Sequence, residues 1–161
     1  MKPTLQSRQE VIISAPLQEV WEFGQDLTKI PQYHPRVNKV DLISGQSQRG
    51  VGVAYQCHLS DGKNTCIEKD IEVVPMERIV TVLPEDTMGI TKLLPDYVVE
   101  TVFIKVDSDA TKVEFHHFYS TKTLKLKLLN LFVRPKIAKE SQDTLNSIKR
   151  AIEEEYGKEA S

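Results

Sequence analysis

Short segments in which apolar and polar residues alternate fill most of the chain between residues 37 and 121. This period of two is typical of strands with one buried face. Gly, Pro, Asp and Ser residues separate the segments, and the spacers are too short to hold a helix. Because parallel strands need long crossover connections, the pattern predicts an antiparallel meander. The predicted strands are VNKVDLI, GVAYQCHL, NTCIEKDIEVV, ERIVTVL, DYVVETVFIKV and TKVEFHHFYST, with the earlier segment RQEVIIS as a seventh.

A short helix is predicted to follow the first strand. It begins near Pro16, because Pro is favoured in a first helical turn and Val20, Phe23 and Leu27 recur at helical spacing. The prolines of the stretch IPQYHP prevent a long continuation. We therefore expect two short helices between the first strand and the second.

One long helix is predicted at the end of the chain, with Pro135 in its first turn. A helix of about 22 residues would be about 33 Å long at 1.5 Å per residue, and one apolar stripe means one buried face. A twisted sheet that curls around a single helix rarely closes completely, so we expect space between the two. The residues of the stripe are Ile137, Ser141, Leu145, Ile148, Ile152 and Tyr156.

The composition is that of an ordinary globular protein, with 40% hydrophobic and 27% charged residues, and predicts a single domain over residues 1–161. No apolar run reaches the roughly 18 residues of a spanning helix, and the start MKPTLQSRQE lacks the apolar centre of a signal peptide. A cytoplasmic location is therefore expected. Basic residues exceed acidic ones only in residues 122–161, which argues against nucleic acid as a partner.

Five stretches of the chain, taken in order, resemble the SRPBCC (START-like, helix-grip) superfamily, and within it the polyketide cyclase/dehydrase-like branch. Together they extend over roughly residues 8 to 155. Each motif is loose by itself, and the specificity lies in their order. The stretches are SAPLQEVWEFGQDLTKIPQYHPRV, RGVGVAY, IEVVPMERIV, DATKVEF and LNSIKRAIEEE.

The resemblance implies an α+β helix-grip fold. In it, a seven-stranded antiparallel sheet curls around a long C-terminal helix, with two short helices after strand 1 and an apolar cavity inside. It further implies that a small hydrophobic ligand binds there, in the polyketide, isoprenoid, quinone or acyl-lipid range, with no cofactor. Function in this superfamily varies far more than fold, so the resemblance assigns no catalytic residue.

Two adjacent histidines, His116 and His117, lie in the last predicted strand and must point to opposite faces. One register of the final hairpin pairs Val102 with Phe115 and Glu100 with His117, and it gives mostly apolar pairs on the cavity side. We expect this register. It makes His117 and Glu100 the candidate catalytic pair, because an opposed imidazole can share the proton of a buried carboxylate.

The alternative register is shifted by one residue. It pairs Phe103 with Val113 and Thr101 with Phe115, and it turns Glu100 outward. In that case the histidine and the carboxylate have a structural role or lie at the surface.

The expected ligand-binding residues come from the loop after the short helices and from the inner faces of the strands. Tyr33, His34 and Arg36 belong to that loop, and either they contact ligand at the cavity entrance or Tyr33 fills the core. Tyr55 and Tyr119 would add hydroxyl groups to an otherwise apolar pocket. The full expected set is Tyr33, His34, Tyr55, Val102, Phe115 and Tyr119.

Cys57 and Cys66 lie on either side of a predicted turn at residues 61–62. A two-residue turn would place them directly opposite each other and favour a disulfide. A register one residue longer pairs Cys57 with Ile67 and keeps apolar residues on one face, so we expect the longer register. It predicts two free thiols on opposite faces and no metal site.

Catalytic and nucleotide-binding motifs are absent from the sequence. There is no G-x-S-x-G elbow, phosphate-binding loop or H-E-x-x-H. Glu68, Asp70 and Glu72 alternate along one predicted strand, which is more typical of a solvated face than of an acid–base site.

Residues 122–139 hold six Lys or Arg residues and no acidic residue, interleaved with leucines. Such a segment can contact an anionic membrane surface, or it can begin a helix whose leucines are buried and whose lysines lie in water.

Two functional hypotheses follow from the sequence. A cyclase-like enzyme would use His117 as general acid or base, with Tyr119 or Tyr55 holding an enol oxygen. A carrier would need only the cavity and a peripheral membrane contact. Neither hypothesis fixes the oligomeric state.

Overall fold

The computed structural model describes residues 2–160. Seven strands form one antiparallel sheet in the order β1-β7-β6-β5-β4-β3-β2. Strands β2 to β7 therefore form a meander, and β1 pairs with β7 at one edge of the sheet. This confirms the predicted α+β helix-grip fold. The strands are β1 (Leu5–Ile13), β2 (Val37–Asp41), β3 (Ala54–Leu59), β4 (Thr65–Val74), β5 (Arg78–Asp86), β6 (Val98–Lys105) and β7 (Thr111–Phe118).

The two predicted short helices follow β1, and a further short helix was not predicted. That third helix begins where the Asp86 carboxylate accepts hydrogen bonds from the backbone N–H groups of Ile90 and Thr91, at 2.8 and 2.9 Å. Such a cap satisfies donors that a helix start leaves free. The helices are α1 (Leu17–Gln25), α2 (Ile30–Tyr33) after a short 3₁₀ turn, α3 (Ile90–Leu93) and α4 (Leu124–Ala160).

The C-terminal helix α4 spans 37 residues and contains Pro135, so the prediction that it begins at Pro135 was wrong. It begins after Thr123, whose side-chain oxygen accepts the backbone N–H of Leu126 at 3.1 Å. The leucines and lysines that follow are strong helix formers, and they continue the helix through the proline. Ser141, Leu145 and Ile152 are buried on its inner face, as the predicted stripe requires.

Buried side chains form two hydrophobic clusters. In the first, α1 and the C-terminal half of α4 pack on strands β1, β5, β6 and β7, and the rings of Trp21 and Phe103 meet edge to face at 5.1 Å. The second joins the α2 region to β2, β3 and β4. One cavity is lined by members of both clusters.

The hairpin between β6 and β7 has the alternative register. Phe103 pairs with Val113, Thr101 with Phe115, and Glu100 with His116, so the predicted pairing of Glu100 with His117 was wrong. A longer turn explains the shift, because Lys105 rather than Val106 opposes Thr111. This register also turns Phe103 inward, where its ring reaches Trp21 of α1.

The hairpin between β3 and β4 also differs from the prediction. Cys57 lies directly opposite Cys66, and Tyr55 lies opposite Glu68. The Asp61 carboxylate accepts the backbone N–H groups of residues 63 and 64, which closes the short turn and fixes this register. The two cysteines are free thiols, as predicted, but they share one face of the sheet instead of lying on opposite faces.

Candidate functional site

A cavity of about 520 Å³ lies between the inner face of the sheet and helix α4. This volume is within the roughly 300–1,000 Å³ of sites for small organic molecules. Helix α4 contributes one wall, α1 and α2 another, and β3 to β7 the floor. The floor residues are Tyr55, Cys57, Leu59, Cys66, Glu68, Ile79, Thr81, Leu83, Val99, Thr101, Phe103, Val113, Phe115 and His117. Those from α4 are Val133, Lys136, Ile137, Glu140, Ser141, Thr144, Ile148 and Ile152.

Two of the six expected ligand residues do not line this cavity. Val102 opposes Glu114 and Arg78, so it lies on the outer face of the sheet, as the register shift requires. Tyr119 is fully buried, and its hydroxyl hydrogen-bonds to Asn130 of α4 instead of facing the cavity. The other four, at positions 33, 34, 55 and 115, line the cavity.

His117, Tyr97 and Ser141 form what we call the His117 cluster. The Nδ1 atom of His117 lies 2.7 Å from the Tyr97 hydroxyl, and its Nε2 atom lies 2.6 Å from the Ser141 hydroxyl. Burial, with a smaller contribution from the charge of His116, lowers the pKa of His117 to about 4. The imidazole is therefore neutral at neutral pH, with one nitrogen donating and the other accepting.

Glu100 lies outside the cavity, and the proposed catalytic pair does not form. Its carboxylate is on the outer face, where it contacts Lys2 and lies 3.6 Å from Nδ1 of His116. No carboxylate tunes His117, whose described hydrogen-bond partners are two hydroxyl groups. A neutral imidazole of low pKa is a weak base, so the cluster is better suited to hydrogen-bonding a guest than to removing a proton from it.

A second polar group, the Arg49 cluster, occupies the β3–β5 side of the cavity. The Nη1 atom of Arg49 donates to the Tyr55 hydroxyl at 3.0 Å and to the Asp70 carboxylate at 2.9 Å. Tyr55 in turn donates to Glu68 at 2.5 Å, and Thr81 donates to Asp70 at 2.9 Å. These contacts explain how two carboxylates of β4 are tolerated inside the fold.

The prediction that Glu68 and Asp70 occupy a solvated strand face was wrong. Asp70 is fully buried, and burial raises its pKa although Arg49 acts in the opposite sense. Arg49 was missed because it lies in the turn-rich stretch SGQSQRG, which gave no sign of burial. The available signal was indirect: two inward-facing carboxylates require a cation nearby.

Cys57, Cys66 and Glu68 bring their sulfur and carboxylate oxygen atoms within 4.8 Å of one another, close enough that the three side chains could hold one metal ion. Interaction with the Cys66 thiol, followed by burial, raises the pKa of Cys57. Both thiols face the cavity. The register prediction had placed them on opposite faces, and for that reason it had excluded a metal site.

The exposed side of the cavity is formed by the loop after α2 and by α4. His34 accepts the backbone N–H of Arg36 at 3.1 Å, and burial together with the charge of Arg36 lowers the pKa of His34 to about 4. Arg36 forms an ion pair with Glu140 of α4, and both residues line the cavity while remaining partly exposed. Tyr33 packs against Phe23, with ring centroids 5.6 Å apart. It therefore both fills the core and contacts the cavity.

The N-terminal half of α4 carries an exposed apolar stripe. Leu124, Leu128, Leu131 and Phe132 recur at helical spacing, and they are 74%, 56%, 70% and 80% exposed. The basic residues of segment 122–139 lie around them, and the segment has no acidic residue. Within residues 2–160, no helix is long and apolar enough to cross a membrane.

Comparison with known proteins agrees with this architecture. The family described as polyketide cyclase / dehydrase and lipid transport matches residues 4–153. No curated protein matches the chain by sequence.

Solved structures superpose on nearly the whole chain. The Zhui aromatase/cyclase from Streptomyces sp. R1128 is 17% identical, with 91% of this chain and 92% of that chain covered and a TM-score of 0.69. Norcoclaurine synthase from Thalictrum flavum is also 17% identical, with 92% and 86% covered and a TM-score of 0.69. A START superfamily protein from Mycobacterium smegmatis is 12% identical, with 94% and 97% covered and a TM-score of 0.64. At these identities the similarity establishes the fold alone.

Proposed function

Because the chain belongs to the polyketide cyclase/dehydrase and lipid transport family, we propose that it binds a small hydrophobic molecule in the cavity between the sheet and α4. The cavity itself carries this proposal. It has about 520 Å³ of volume and mostly apolar walls, and the polar groups of its interior include the His117 and Arg49 clusters. This combination is typical of sites that recognise an organic molecule mainly by burial.

The two polar clusters indicate which class of molecule fits. Burial of apolar surface contributes about 25 cal/mol per Å², which gives affinity without specific contacts. The His117 cluster offers neutral donors and acceptors, and the Arg49 cluster offers a cation already paired with Asp70. The best match is an apolar skeleton with a few oxygen atoms, such as a polyketide, an isoprenoid quinone or an acyl lipid.

Acid–base chemistry on the guest is a further part of the proposal, with His117 as its centre. Its hydroxyl partners can pass or hold a proton, but its pKa of about 4 makes it a weak base at neutral pH. Binding is therefore the principal function and chemistry the secondary one. If the protein is catalytic, His117→Gln will remove turnover of the bound compound while its binding survives. Unchanged turnover would exclude His117 as the acid or base.

Native mass spectrometry of the freshly purified protein tests the binding proposal. A co-purified apolar molecule is expected, and Thr101→Phe should displace it by filling the cavity. Val102→Phe is the matched control, because it adds the same ring one residue away on the outer face. Equal ligand content in the two variants, or no uptake by the wild type of any polyketide, quinone or fatty acid offered to it, would contradict the proposal.

The exposed stripe of α4 supports a second candidate function, in which a carrier takes up its ligand at an anionic membrane. Val133 and Lys136, which lie within five residues of the exposed Leu131 and Phe132, line the cavity. A membrane-bound α4 would therefore place the cavity next to lipid. Basic side chains contribute about 1 kcal/mol each near an anionic surface.

Sedimentation with vesicles of anionic lipid tests this second function. We expect binding that falls with added salt and that weakens about 30-fold in Lys125→Gln/Lys127→Gln, at about 1 kcal/mol per charge. Leu131→Ser/Phe132→Ser should also weaken it, whereas Val51→Ser, an exposed apolar residue outside α4, should not. The absence of binding at low salt would exclude membrane docking.

A further inference from the structure

The two cysteines are held opposite each other by the backbone of β3 and β4. Leu59 N donates to Asn64 O at 2.9 Å, and Asp70 N donates to Val53 O at 3.0 Å. Residue pairs in an antiparallel ladder alternate between two types, and Cys57 and Cys66 are an even number of positions from both hydrogen-bonded pairs. They are therefore a hydrogen-bonded pair, which is the wider type.

This spacing suits a metal ion better than a disulfide. The Cβ atoms of a wide antiparallel pair lie about 5.5 Å apart, whereas a disulfide needs about 3.8 Å. A disulfide would require the two strands to move together. A tetrahedral zinc ion with Zn–S bonds of about 2.3 Å holds its sulfur atoms about 3.8 Å apart. The donor atoms of Cys57, Cys66 and Glu68 all lie within 4.8 Å of one another, which exceeds that spacing by at most about 1 Å.

A third ligand and its support are already in place. Glu68 follows Cys66 by two residues on the same strand, so it faces the same side of the sheet. Its Oε2 atom accepts the Tyr55 hydroxyl at 2.5 Å, and Tyr55 is itself held by Arg49. Hydrogen bonds to a ligating carboxylate orient it toward a metal. The nearby guanidinium offsets part of the negative charge that two thiolates and a carboxylate bring together.

We propose that Cys57, Cys66 and Glu68 form a binding site for a thiophilic divalent cation, with Zn²⁺ as the best match, in the wall of the cavity. Two sulfur donors select such a cation over Mg²⁺ or Ca²⁺. Each thiol releases its proton to solvent when the metal binds, and no oxidant or reductant is needed. Three protein ligands leave a fourth position facing the cavity, where water or an oxygen atom of a guest can bind. The site does not depend on which organic ligand the cavity takes.

Cobalt titration of the reduced, full-length protein without oxygen tests the proposal, because Co²⁺ bound by thiolates absorbs in the near ultraviolet. We expect this absorption to saturate at one Co²⁺ per chain and to disappear when Zn²⁺ is added. Cys57→Ser/Cys66→Ser should abolish it. Glu68→Gln should weaken Co²⁺ binding at least tenfold, whereas Glu72→Gln should not, since that carboxylate lies on the same strand and pairs with Arg78.

A measurement on the wild type alone covers the case in which a variant fails to fold. Zn²⁺ should protect both thiols from alkylation, and Mg²⁺ should not. Three results would overturn the proposal: no charge-transfer absorption in the reduced wild type, Co²⁺ absorption that survives in the double serine variant, or alkylation unaffected by Zn²⁺. Formation of a Cys57–Cys66 disulfide together with any of these would indicate a redox pair instead.

Discussion

His116 and His117 are adjacent in β7, yet the two faces of the sheet surround them with different chemistry. On the cavity face, His117 contacts two uncharged hydroxyl groups, of Tyr97 and Ser141. On the outer face, His116 lies 2.7 Å from Glu114 and 3.6 Å from Glu100. The inner histidine is therefore held by neutral partners in the cavity wall, and the outer one lies beside two carboxylates in a charged group that joins β1, β6 and β7. Residue type alone does not predict a role in binding.

The outer group is centred on Glu114, whose side chain is only 3% exposed. Arg8 of β1, His116 and Lys112 contact its carboxylate at 2.6, 2.7 and 3.1 Å. Burial opposes ionisation of Glu114, but the hydrogen bonds from Arg8, His116 and Lys112 outweigh it and lower its pKa to about 2. Three side chains therefore contact the one buried carboxylate of Glu114. On the inner face, by contrast, Arg49 is the one cation that bonds Asp70 within residues 2–160.

The largest effect is expected where the inner face does hold an ion pair. Arg49→Ala leaves Asp70 buried without its cation and should lower the free energy of unfolding by about 3–5 kcal/mol. Arg8→Ala on the outer face should cost at most about 1 kcal/mol, because Arg8 is 53% exposed and Glu114 keeps other partners. Urea denaturation of both variants measures this difference. Equal losses would show that the two faces hold their charges in the same way.

A smaller effect concerns the protonation of His117. Its pKa is about 4 in the folded protein, against 6.5 ordinarily, so the unfolded chain binds the proton first as pH falls. The contribution of neutral His117 to the free energy of unfolding is complete above pH 6.5, and it is lost as the pH falls from 6.5 to 4. From pH 7 to 4.5 this loss should be about 2 kcal/mol. In His117→Gln that part of the acid destabilisation should disappear.

The control for this experiment is His58→Gln, which removes a half-buried histidine paired with Asp41 on β2. Urea unfolding at the two pH values should show the full loss in His58→Gln and a loss smaller by about 2 kcal/mol in His117→Gln. If the two variants lose stability equally, the imidazole of His117 does not titrate as its burial requires.

The smallest effect belongs to Glu114 on the outer face. Its pKa of about 2 lies below the ordinary 4.5, so its stabilisation is present above pH 4.5 and is lost as pH falls toward 2. Because Arg8 is largely exposed, we expect Glu114→Gln to cost only about 1–2 kcal/mol at pH 7. The difference from wild type should vanish near pH 2. A difference that is constant with pH would indicate lost packing in place of lost charge.

The sequence predicted the elements of this fold far better than it predicted their register. Alternation and turn residues located all seven strands, because those signals act over a few neighbouring residues. Register instead depends on contacts between distant segments. Phe103 faces inward to meet Trp21, about 80 positions earlier, and this one-residue shift moved Glu100 and Val102 out of the predicted site.

The same reasoning explains the other differences. The inward position of His117 followed from its own strand, because it lies two residues after Phe115 and four after Val113. Arg49 could not be placed, since its interior partners, among them Asp70 and Tyr55, lie on strands that follow it and are known only once the sheet is formed. The start of α4 depended on a cap at Thr123, which is a weaker signal than the proline that follows.

The ion pair between Arg36 and Glu140 bears on how a ligand would reach the interior under the proposed function. It joins a loop to α4 at the exposed side of the cavity, and both side chains contact water. Solvated ion pairs separate at a cost of about 1 kcal/mol or less. For the proposed ligand, we therefore expect entry and exit to need only the separation of these two side chains, with every strand still in place. We also expect added salt to speed the exchange.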